Sequence, residues 1–179
     1  MPEDTDRVSA AGIDDPVGRQ LAGLEREYGS FDVHTEETVV PRAAFTDCLR
    51  ASEAGSLGGA RVLVERDGSV LLVRYEHSPE VWDLPGGSTE RGERLRETAL
   101  ARVESDAGVL VSLSDVVRVV KQRFALVEGG DGVTGLWVFF RGEAADDVLE
   151  PGDDVAEAAW FDADDLPDAV APEVADLLG

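Results

Sequence analysis

The sequence predicts an α/β protein (α+β in the broader sense), an α/β/α sandwich built on a mixed β-sheet and preceded by a helical N-terminal extension. Two observations predict it. Runs of apolar and β-branched residues are interleaved with segments whose apolar residues recur at helical spacing. Their order is helices, a hairpin, a loop, a helix, several strands and a late helix. A sheet must bury a face and a helix must bury a stripe, so a mixed sheet covered by helices satisfies both. The chain has 179 residues, of which 43% are hydrophobic, enough for one domain with a sizeable core and a short extension.

Residues 1–14 read as an acidic leader. Asp15 is placed to cap a helix through VGRQLAGLEREYG, where Val17, Leu21, Leu24 and Tyr28 share a stripe and Gly29 is a stop signal. TEETVV is a short extended piece. After Pro41, RAAFTDCLRASEAG predicts a second helix with Phe45, Cys48 and Leu49 facing inward. Residues 1–54 are therefore expected to be an extension packed on a main domain of residues 55–179. In that domain ARVLVER and SVLLVRY are β-rich runs separated by Asp67-Gly68, a strong hairpin signal. VWDLPGG predicts a short strand ending in a Pro-Gly-Gly loop. LRETALARVESDAG is helical and Gly108 ends it. VVRVVKQRFALV and GLWVFF are strands on either side of a Gly-rich turn. AAWFDADDLPD predicts a strand and a helix start, and PEVADLL a terminal helix.

Charge excludes one class of partner. The chain carries 38 acidic and 16 basic residues, a formal net charge of −22, and has no basic face for a nucleic acid backbone. Lys121 is its single lysine, and asparagine is absent. This bias resembles proteins of salt-loving archaea and is read as adaptation to a salty cytoplasm. No apolar run approaches the roughly 20 residues of a membrane span, and the opening residues lack a signal-peptide pattern. The expectation is a soluble, cytoplasmic protein. Cys48, the only cysteine, allows neither an intramolecular disulfide nor a cysteine metal cluster, and is expected to be a buried structural thiol.

The chemistry is expected in residues 87–109. Gly87 is followed six residues on by Glu93, Val103 is an aliphatic position within the helix, and Gly108-Val109 close the segment. With WDLPGG before it and EAAWFDADDLPD after it, this segment resembles the Nudix family, whose box reads G-x5-E-x7-R-E-U-x-E-E-x-G-U, with U aliphatic. The resemblance covers about residues 58–170. It implies a Nudix-type fold and a small nucleotide ligand, a nucleoside diphosphate linked to another group. It also implies hydrolysis of a phosphoanhydride by water with divalent magnesium, or manganese, on the box carboxylates. Nudix proteins are often dimers, so a homodimer is compatible, although no segment names an interface.

The departures from the box fall on the residues that hold metal. Its arginine is Ala101, the next glutamate is Arg102, and its last two glutamates are Ser105 and Asp106. Positions 102, 105 and 106 share one helix face, and only Asp106 keeps a carboxylate there. Glu93 and Asp106 are thus the candidate catalytic and metal-binding residues; Gly86, Gly87 and Arg102 are the candidate ligand-binding residues. Magnesium prefers an octahedron of carboxylate and water oxygens, and a guanidinium among them repels it. Three readings stay open. The protein is a hydrolase that borrows acids from elsewhere, with Glu128, Asp131 and Glu143 as candidates. Or it is a nucleotide-binding or regulatory module in which Arg102 grips phosphate. Or Arg102 pairs with Asp106 one turn on and the cleft is vestigial. Trp82, Trp137 and the Trp160-Phe161 pair are expected in the core, and His77 on a solvent-exposed loop.

Overall fold

The computed structural model describes residues 16–130 and 132–178. The leader and the Asp15 cap lie outside the described residues, as does Asp131. The elements are α1 (Pro16–Tyr28), β1 (Val33–Val40), α2 (Arg42–Ala54), β2 (Gly58–Arg66), β3 (Ser69–Tyr75), β4 (Ser78–Asp83), β5 (Gly86–Ser88), α3 (Leu95–Ala107), β6 (Val111–Leu126), β7 (Val133–Ala144), β8 (Val155–Asp162) and α4 (Pro172–Leu178).

All eight strands join one mixed sheet in the order β1-β6-β7-β2-β3-β4, with β5 on β2 and β8 on β3. The β1/β6 and β2/β7 pairs are parallel; the other pairs are antiparallel. Strand side chains alternate between faces, and the two sides of the sandwich follow from that alternation. Ala60, Val62 and Val64 of β2, Leu71 of β3, and Leu136, Val138 and Phe140 of β7 pack with α1 and α3. Leu63, Val70, Leu72 and Phe139, the intervening residues, pack on the other side with Val174 of α4. Each fully buried valine, leucine or phenylalanine contributes roughly 1.5–3 kcal/mol relative to exposure.

The predicted stripe of α1 is seen. Val17 and Leu24 are buried, Leu21 and Tyr28 pack beside them, and Tyr28 meets Phe140 edge-on at 5.6 Å between ring centroids. The hairpin is seen too. Asp67 (φ 51°) and Gly68 (φ 83°) take left-handed conformations between the paired Arg66 and Ser69. Two such residues in succession match the twist of the flanking strands.

Three local expectations are corrected. In α2 no residue is fully buried, and Leu49 is 40% exposed. This helix packs against β6 and β7 but remains partly exposed along its length. Cys48 is therefore half-buried; burial, then the charge of Asp47, push its thiol up, away from nucleophilic ionisation. Gly86 and Gly87 do not sit in a loop. They form β5, paired with Arg61 and Ala60 of β2. The acidic run after β8 turns instead of starting a helix. The Asp162 carboxylate accepts the Asp164 amide at 2.8 Å, and its carbonyl accepts the Asp165 amide. This local side-chain bond competes with helix formation.

Candidate functional site

The box helix is fixed at both ends. At its start, the Glu97 carboxylate accepts the Arg94 amide at 3.2 Å, a helix-start bond of the capping-box kind. At its end, Gly108 (φ 72°) donates its amide to Glu104. The next carbonyls, of Asp106 and Ala107, accept the amides of Gly152 and Glu150. Leu95, Ala99, Val103 and Ala107 face the core. That leaves Arg102 and Asp106, one turn apart, along the border facing β3 and β5.

Asp106 is buried, and three groups meet there. The Tyr75 hydroxyl donates to Oδ2 at 2.6 Å. The Gly86 amide lies 3.3 Å from the same oxygen and 3.0 Å from the tyrosine oxygen. Bonds to an ionised acceptor are about twice as strong as neutral ones, so this cluster ties α3 to β3 and β5. Burial, with the Asp106 charge, pushes the Tyr75 hydroxyl far up, and it stays protonated. Burial also holds the Asp106 carboxyl above the ordinary aspartate range, against the lowering pull of Tyr75, Gly86, Arg102 and Arg61.

The folded state binds the Asp106 proton more tightly than the unfolded chain does. Its stabilising contribution is complete below an ordinary aspartate pKa of about 3.9 and is lost as pH rises through the raised folded value. A melting-temperature series against pH should show less of this decline in Asp106→Asn than in the unmodified protein. Tyr75→Phe should cost about 1–3 kcal/mol at neutral pH, measured by denaturant unfolding. An unchanged midpoint would mean that the cluster does not hold the helix.

Around this cluster is a cleft of about 370 Å³ lined by Arg61, Tyr75, His77, Gly86, Gly87, Arg102, Asp106 and Trp137, with Glu76 and Asp154 at its exposed rim. Arg102 forms no hydrogen bond or ion pair among the described residues, so of the pairing with Asp106 held by the third reading only a longer-range attraction is seen. Its side chain lies over Gly87, where an added Cβ would stand 2.8 Å from Nε. Arg61 enters from β2. Its Nη1 donates to the Leu84 carbonyl at 2.8 Å and approaches Asp83 at 3.6 Å, while its guanidinium lies 5.6 Å from the Trp137 ring centroid.

The structure brings together Gly86, Gly87, Arg102 and Asp106, but not Glu93. Glu93 is half-buried, accepts the Thr98 hydroxyl at 2.6 Å and the Glu90 amide at 3.2 Å, and does not line the cleft. The candidate acids from elsewhere do not complete it. Glu128 pairs with Arg42, and Glu143 lines a separate hollow with Glu65 and Arg141. Among the described residues no group of three or more His, Cys, Asp or Glu side chains is placed to hold a metal ion. Ser105 is exposed, Asp106 is engaged by Tyr75, and Arg102 adds a cation. These residues do not fit the divalent metal that Nudix hydrolases generally use.

Sequence reasoning missed Tyr75, Arg61 and Ser88 in the cleft, the rim acids Glu76 and Asp154, and the cleft role of Trp137. Tyr75 ends an apolar strand and is 31 positions from Asp106. Arg61 hides in the β2 alternation. Trp137 packs against the core, as expected, but is only half-buried and also lines the cleft, with its ring edge beside Gly59. His77 is exposed, as expected, and stacks on Tyr75 with 5.4 Å between ring centroids. Trp82 does pack in the core, edge-on to Phe161 at 4.8 Å. No helix among the described residues is long and apolar enough to cross a membrane.

An ADP-ribose pyrophosphatase of Methanocaldococcus jannaschii is 25% identical over 107 residues, covering 59% of this chain and 61% of that protein. The chain thus spans less than two thirds of that relative's length. The crystal structure of a NUDIX hydrolase from Nitrosomonas europaea superposes with a TM-score of 0.52 at 22% identity, over 66% of this chain and 65% of that one. A UDP-X diphosphatase structure superposes with a TM-score of 0.53 at 18% identity, over 99% of this chain and 81% of that one. At these identities the two structures show a shared fold. The model of the NUDIX domain matches residues 57–178, more than half of the chain, and this chain belongs to the Nudix family.

Proposed function

We propose that this Nudix protein binds a nucleoside diphosphate derivative in the box cleft and does not hydrolyse it. The observation that carries this reading is the make-up of the box face. Among the described residues Arg102 makes no hydrogen bond or ion pair, Asp106 is bonded by Tyr75, and no cluster of three candidate metal ligands is present. Hydrolysis in this family needs metal to hold the phosphates and generate the nucleophile. Binding needs only donors and a platform, and Arg61, Arg102 and Trp137 supply both. The ligand class follows from family membership and from the ADP-ribose pyrophosphatase relative. The competing hydrolase reading rests on the same membership and assigns magnesium or manganese to Glu93 and Asp106.

The two readings separate in one experiment. ADP-ribose, nucleotide sugars and nucleoside triphosphates are incubated with the protein in molar potassium chloride with magnesium or manganese, beside a Glu93→Gln, Asp106→Asn control shown to be folded. The expected result is no product above the control, together with saturable ADP-ribose binding by calorimetry. Turnover that disappears in the control would establish the hydrolase instead.

A further inference from the structure

We infer that Arg102 stands in for the absent metal, so that with Arg61 it grips the diphosphate of the ligand directly and binding is independent of divalent cations. This rests on the nucleotide-binding reading and adds how the phosphates are held.

Four observations carry it. Arg102 occupies a box position where a carboxylate would ligate metal, on the helix face that borders the cleft. Arg102 is half-buried and makes no hydrogen bond or ion pair among the described residues. A guanidinium offers five N–H donors, and leaving them unmet in a partly desolvated site favours an anion. The acid one turn on gives its Oδ2 to the Tyr75 hydroxyl and the Gly86 amide and makes no ion pair with Arg102, whose charge reaches it only at longer range. Finally, a second guanidinium lines the same cleft. Arg61 is oriented by Leu84, Asp83 and the Trp137 ring, and both of its polar contacts use Nη1. The planar guanidinium matches phosphate oxygens two at a time. Two such groups in one cleft are notable in a chain with so large an acidic excess. The carboxylates of Glu76 and Asp154 at the rim oppose the anion, which places the phosphates deep, beside Gly87.

Gly87 supplies a test that leaves the charge unchanged. An added Cβ would stand 2.8 Å from Arg102 Nε and 3.1 Å from Cζ. The backbone of Gly87 does not have a positive φ, so alanine is tolerated there and the guanidinium must move.

The experiment is calorimetric titration of the full chain with ADP-ribose and, separately, with inorganic pyrophosphate, in molar potassium chloride, with magnesium and then with EDTA. The variants are Arg102→Ala, Arg102→Lys and Gly87→Ala, each checked for folding. The expected result is equal affinity with magnesium and with EDTA. Loss of a charge-assisted bidentate contact should weaken both ligands about tenfold or more in Arg102→Ala. Arg102→Lys should recover only part of this, because lysine lacks the planar fork. Gly87→Ala should weaken both ligands in the same direction. Wild-type binding that requires magnesium, or Arg102→Ala binding equal to wild type, overturns the inference and leaves nucleotide binding intact. Pyrophosphate binding lost in Arg102→Ala, without ADP-ribose binding, keeps the clamp and sinks the nucleotide reading. Binding of neither probe overturns both.

Discussion

Glutamate at positions 102 and 105 should give the box helix a much stronger divalent-cation site than its present residues. With Asp106, the Arg102→Glu, Ser105→Glu double variant carries carboxylates at i, i+3 and i+4 on one face. It also removes the cation that repels metal from that face. Affinity of oxygen-ligand sites is tuned by the number of charged ligands, so manganese should bind about a hundredfold more tightly than to the unmodified protein. Titration followed by manganese paramagnetic resonance measures this directly. If the double variant binds no better, the residue types at 102 and 105 are not the obstacle, and the Tyr75–Asp106 bond is. Adding Tyr75→Phe frees the aspartate and discriminates the two causes.

The second large effect is expected from salt. With 38 acids and 16 bases, repulsion outweighs attraction over the whole surface. The Debye length shrinks from about 10 Å at 0.1 M to about 3 Å at 1 M. Screening also weakens surface pairs such as Arg123–Glu37 (2.7 Å) and Arg141–Glu65 (3.0 Å). Exposed pairs of this kind contribute only about 0–1 kcal/mol each, so relief of repulsion wins. For a domain of this size each 1 kcal/mol shifts the melting temperature by roughly 2–4 °C. Relief of about 4 kcal/mol would raise it by about 10 °C between low and molar potassium chloride. Calorimetric scans across that range test this, and a flat or falling midpoint would dismiss high salt as the working medium of the protein.

The fold was largely legible because its signals are local. Asp67-Gly68, the stripe of α1 and the Gly108 stop each depend on neighbours within a few residues. The box spacing was legible too, and it placed Gly86, Gly87, Arg102 and Asp106 together. What was not legible depends on partners distant in sequence. Nothing near Asp106 announces that Tyr75 will bond to it. Glu93 fits the box by spacing, yet in space its carboxylate meets Thr98 and Glu90. Trp137 reads as core because an apolar strand surrounds it, and it does pack there; its second role on the cleft wall depends on the glycine-bearing strands β2 and β5 beside it.

Strand β1 has a consequence for how the chain comes to be folded. It pairs in parallel with β6, Val33 beside Val119 and Val40 beside Leu126, so its partner lies 86 residues further along, as for Glu37 and Arg123. At a synthesis rate of about 5–20 residues per second, β1 leaves the ribosome roughly 4–17 seconds before β6 exists to receive it. Through that interval it is an unpaired strand bearing Val33, Val39 and Val40, the kind of segment that recruits other nascent chains. Glu36 and Glu37 at its centre act as charged guards. The acidity that suits the finished surface thus also protects the unfinished chain.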